Sequence, residues 1–98
     1  MDMDEARRLL ERHMEGLGAR SYRELEARIG QAAAEQIDLG HGRSYTIEVE
    51  VVRDGPEGGN IRVLGAIDDG RAWASISPLC SDFIMAPDGS LVGELPDL

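Results

Sequence analysis

Lysine is absent from this 98-residue chain, and histidine, cysteine and aromatic side chains are scarce. Ten basic residues, all arginine, stand against nineteen acids, for a formal net charge of -9. Nucleic-acid binding needs clustered Lys and Arg, and here the arginines are mostly dispersed among acids near the N-terminus, so no nucleic-acid partner is expected. The same balance disfavours electrostatic adhesion to anionic membranes, and no membrane partner is expected. It is compatible with steering toward a basic protein, and equally with plain solubility. The single cysteine, Cys80, cannot form an internal disulfide and suits a reducing compartment. No apolar run approaches the roughly 18 residues that a membrane span requires. The N-terminus is acidic where a signal peptide would be basic, and the cytoplasm is the expected location.

What the chain does have is a succession of short period-two runs separated by Gly- and Pro-bearing turns. Tyr45 to Val52, Ile61 to Ile67, Ala72 to Leu79 and Leu91-Val92 are such runs. Asp68-Asp69-Gly70 and Pro87-Asp88-Gly89 stand between them as hairpin turns. This is the pattern of an antiparallel meander. Upstream, Ala34 to Leu39 forms a further strand, closed by Gly40-His41-Gly42.

The first thirty residues are helical. Asp2 or Asp4 can cap a helix whose apolar stripe runs through Ala6, Leu9, Leu10, His13, Met14 and Leu17, ending at Gly16 or Gly18. Ser21-Tyr22-Arg23-Glu24 is a capping box that opens a second, shorter helix buried through Leu25 and Ile29. One domain spans residues 1–98, with helices over 1–30, sheet over 34–94 and a frayed tail over 95–98. In the strands, Tyr45, Ile47, Val49 and Val51 share one face, as do Ile61, Val63, Gly65 and Ile67. These are the core faces. The expected fold is α+β, with two N-terminal helices packed on one face of a five- to six-stranded antiparallel meander.

The string Gly59-Asn60-Ile61-Arg62-Val63, Ile67-Asp68-Asp69-Gly70, Ser77-Pro78-Leu79, Asp82-Phe83-Ile84, Ala86-Pro87-Asp88-Gly89-Ser90 and Val92-Gly93-Glu94 resembles a group of small uncharacterised bacterial proteins. It covers roughly the C-terminal two thirds of the chain and leaves the helices out. The resemblance implies a bacterial origin and a single α+β domain; it brings no activity, substrate or catalytic residue.

Candidate chemistry is thin. His13 lies on the apolar helix stripe and His41 in a turn, and neither has a ligand partner at metal-site spacing, so no metal or cofactor is expected. Cys80 has no neighbouring cation to activate it, only Ser81 and Asp82. Glu48, Glu50, Asp68, Asp69 and Asp82 could supply paired carboxylates, although turn chemistry already explains Asp68 and Asp69. The Gly55-Pro56-Glu57-Gly58-Gly59 loop lacks the lysine and the following helix of a phosphate cradle.

Trp73 is the one residue with the makings of a hot spot. If the hairpins are tight, Trp73 stands opposite Ala66 with Glu48 in the same row, while Leu64, Ser75 and Glu50 form the next. Trp73, Leu64, Leu79 and Val52 would then form an apolar patch edged by Glu48 and Glu50 on the outer sheet face. The other reading puts Trp73 in a small second core, and a one-residue slip would turn it to the opposite face. Two functions follow. The first is a non-enzymatic module that binds a protein, or a second copy of itself, through this face. The second is a helix-on-sheet cavity that binds or transforms a small molecule, for which Tyr45 and His13 are the only inward polar groups.

Overall fold

The computed structural model describes residues 2–69 and 79–92. Helix α1 (Met3–Gly18) begins where the Asp2 carboxylate accepts a hydrogen bond from the Glu5 amide, at 3.1 Å. Its apolar residues Ala6, Leu10, Met14 and Leu17 recur every three or four positions and are all buried. Helix α2 (Tyr22–Glu26) opens with the expected capping box: the Glu24 amide donates to Ser21 Oγ, and the Ser21 amide donates to Glu24 Oε1. Glu24 is held below the usual carboxylate range, first by that backbone hydrogen bond and then by Arg20. A five-residue helix cannot stand alone, and α2 is fixed by the full burial of Leu25.

The sheet has five antiparallel strands in sequential order: β1 (Ala33–Gly40), β2 (Arg43–Arg53), β3 (Ile61–Asp68), β4 (Leu79–Met85) and β5 (Leu91–Val92). Alternation of side chains sorts each strand into two faces. Tyr45, Ile47, Val49 and Val51 of β2 and Ile61, Val63 and Ile67 of β3 are buried on the inner face, with Met85 of β4. Together with the α1 stripe and Leu25 they form one apolar core. The architecture is therefore α+β, two N-terminal helices on one face of an antiparallel meander.

Helix α1 lies chiefly over β3 and β4. The crossing needs a glycine: a Cβ placed on Gly65 would meet Met14 Sδ at 2.5 Å and Leu10 Cδ1 at 3.3 Å. Polar ties add to this packing. Glu5 on α1 accepts hydrogen bonds from the Arg43 guanidinium and, at 3.0 Å, from the Tyr45 hydroxyl. Burial, then the bond to Glu5, pushes the Tyr45 phenol above its ordinary value. On α2, the Tyr22 hydroxyl donates to the Gly59 carbonyl at 2.6 Å and so anchors the β2–β3 loop.

The expected pairing of β3 is corrected: its antiparallel partner is β4, with Ile67 opposite Leu79. Ala66 stands opposite Cys80 and Leu64 opposite Asp82, not opposite Trp73 and Ser75. Residues 72–78, Trp73 among them, lie outside the described residues, as does the tail at 95–98.

Candidate functional site

The register builds the outer face of the sheet row by row. Glu48, Ala66 and Cys80 form one row across β2, β3 and β4; Glu50, Leu64 and Asp82 form the next. A third row carries Val52, Arg62 and Ile84, and extends to Val92 of β5. Directly opposed side chains in such rows have their Cβ atoms about 5 Å apart, so each row is a continuous contact surface. The middle of the face is slightly apolar, with Leu64, Ala66, Val52 and Ile84 all half-buried. Its flanks are acidic and exposed: Glu48 and Glu50 on β2, Asp82 on β4.

These residues line a shallow concavity of about 480 Å³, with Leu64 and Ala66 on the floor and Glu48, Glu50, Cys80 and Asp82 around it. One cation enters the arrangement. Arg62 donates to Asp82 at 2.6 Å and to Asp54 at 3.4 Å, which fixes Asp82 along the rim. Glu48 and Glu50 make no hydrogen bond or ion pair with any described residue, so their charge is presented outward.

Four of the sequence-derived site residues, Leu64, Val52, Glu48 and Glu50, come together here. Leu79 does not. It pairs with Ile67, which puts its side chain on the helix-facing side, packed against the core. The reason is parity: β4 starts at Leu79 and alternates from there, so Leu79, Ser81, Phe83 and Met85 turn inward, and Cys80, Asp82 and Ile84 outward. Trp73 lies outside the described residues. Ile84 and Val92 also belong to the face without having been singled out, while Asp82 was expected only as a candidate acid and Ala66 only as the neighbour of Trp73. The alternation of residues 79–85 was available to place Asp82 and Ile84 on it.

The arrangement offers little for catalysis. Cys80 and Glu48 share a row but are two strands apart, about 10 Å by strand spacing, with Ala66 between. Glu50 and Asp82 are separated in the same way by Leu64. Both histidines lie elsewhere, His13 on α1 and His41 in the β1–β2 turn. Among the described residues no group of three or more His, Cys, Asp or Glu side chains could hold a metal ion. None of their buried side-chain polar atoms lacks a partner. Nor is any described helix long and apolar enough to cross a membrane.

Fold and face together define a two-layer α+β meander with one acid-rimmed sheet surface. No protein-family model, curated protein or solved structure matches the chain.

Proposed function

We propose that the protein is a non-enzymatic binding module that offers its concave outer sheet face to a basic segment of another protein. The observation that carries this reading is the ordering of the rows: an apolar floor at Leu64 and Ala66 between the carboxylates Glu48 and Glu50 on one side and Asp82 on the other. An apolar centre with a charged rim is the anatomy of a protein interface. The rim also argues against self-association through this face, because two copies would oppose their own carboxylates. A basic partner meets complementary charge, and association would be steered by the net charge of -9. The exposed thiol of Cys80 on the same face fits a reducing cytoplasm.

The test uses an extended peptide that alternates arginine with valine, titrated into isotopically labelled protein. Amide shifts are expected at Glu48, Glu50, Leu64, Ala66 and Asp82, with affinity falling about tenfold between low and moderate salt as screening shortens to roughly 8 Å. Reversing Glu48 and Glu50 to lysine should abolish the shifts. Unchanged binding in that variant, or shifts confined to another surface, would overturn the reading.

A further inference from the structure

Because α1 covers β3 and β4, the inner side of the edge strand β1 is left half-open. A groove runs there between α1 and β1. Two adjoining hollows of about 360 and 180 Å³ share His13, Leu17 and Arg20 in their walls. The first adds Leu9, Arg12 and Ile37; the second adds Arg28, with Ile47 and Val49 of β2 at its base. Apolar side chains thus form the floor and one wall, and three arginines edge it.

The charge of this groove contrasts with the rest of the molecule. Arg7, Arg43, Arg53 and Arg62 are each paired with carboxylates elsewhere. Within the groove, Glu35 lies 3.5 Å from His13 Nδ1, and Glu24 takes Arg20 at 3.0 Å. Arg12 and Arg28 make no ion pair with any described residue. The other described arginines in that state, Arg8 and Arg23, do not line the groove. Two uncommitted guanidinium groups beside an apolar trough make an amphipathic anion site within a chain of charge -9.

We propose that this groove binds a small free amphipathic carboxylate or phosphate monoester. Its head would be taken at the arginine rim, by Arg12 beside the first hollow or Arg28 beside the second, and its apolar body would lie along Leu9, Leu17 and Ile37. Guanidinium groups favour oxyanions of this kind because they donate two parallel hydrogen bonds to one head group. The combined volume lies within the range of roughly 300–1,000 Å³ typical of small-ligand sites. The site is independent of the outer sheet face, and each can fail without the other.

Octanoate and octyl phosphate, kept below their micellar concentrations, are the probes, and amide shifts of the labelled full chain are the readout. Saturable shifts are expected at His13, Leu17, Arg20, Arg28 and Ala33 through Ile37. The double variant Arg12→Gln/Arg28→Gln, checked for an unchanged circular dichroism spectrum, should bind about tenfold or more weakly. Octanol, without the charge, and inorganic phosphate, without the apolar body, should each bind much less tightly than octyl phosphate. Equal affinity of the double variant, equal binding of octanol, or shifts outside the groove would overturn the proposal. So would binding to anionic phospholipid vesicles with no response to either free probe.

Discussion

Replacing Gly65 by alanine adds a single methyl group at the point where α1 crosses β3. That carbon would lie 2.5 Å from Met14 Sδ and 3.3 Å from both Leu10 Cδ1 and Met14 Cε. Ordinary non-bonded contacts sit near 3.5–4.0 Å, so Met14 must withdraw by about 1 Å. It has little space to do so, being 5% exposed between Leu10 at 3% and Leu17 at 5% on the buried stripe. Overpacking of this kind costs about 1–3 kcal/mol. Alanine recovers about 0.5–1 kcal/mol by restricting the unfolded chain relative to glycine. The expected net loss centres near about 1 kcal/mol, or roughly 4–8 °C in Tm for a domain of this size. Urea unfolding followed by far-ultraviolet circular dichroism measures it. Met14→Ala alone should cost about 2–5 kcal/mol by opening a cavity. In the double variant the new methyl occupies part of the vacated space, so the combined loss should fall short of the sum by about 1 kcal/mol or more. A neutral Gly65→Ala, or strict additivity with Met14→Ala, would refute the close-approach argument.

Two further outcomes are expected. The raised pKa of Tyr45 makes its contribution fully present below about pH 10 and progressively lost as pH rises toward the folded-state value. The urea midpoint of the native chain should therefore drop more between pH 8 and pH 10.5 than that of Tyr45→Phe, and parallel slopes would contradict the assignment. Gly89 has φ +88° in the turn that joins β4 to β5. Gly89→Val should destabilise the chain by on the order of 1 kcal/mol or more, read from the denaturation midpoint, because β-branched residues resist that conformation.

The helix starts, the β2 and β3 faces and the meander order were legible because each rests on local chemistry. Ser21 and Glu24 are a capping pair by spacing alone, and Tyr45 to Val52 alternate cleanly. β1 extends one residue beyond the expected Ala34 to Leu39 at each end. The failure came at β4, where residues 80–85 were not read as a strand and Asp68-Asp69-Gly70 looked sufficient for a hairpin. A polar residue on a strand's solvent face is ordinary, however, and Asp82 is held there by Arg62 from the neighbouring strand. That tie is non-local, separated by twenty positions, and no local pattern announces it. Leu79 was misplaced through the same error, since face parity follows from where a strand begins. The α1–β1 groove was illegible for a different reason: it depends on which strands α1 leaves uncovered, and helical periodicity gives the buried stripe without its destination.

That destination has a kinetic meaning. Each strand pairs with the one just before it, so β1 to β5 can form by successive hairpin closures between near neighbours. Helix α1 docks on β3 and β4, some fifty residues downstream, and its seat at Gly65 does not exist until those strands are paired. Contacts so distant in sequence form late, because loop closure must precede them. During synthesis α1 emerges before the sheet, yet it finds its place only after the strands have paired. Until then its stripe of Leu10, Met14 and Leu17 and the inner face of the sheet are both uncovered, which marks that interval as the one in which the chain is most exposed to misassociation.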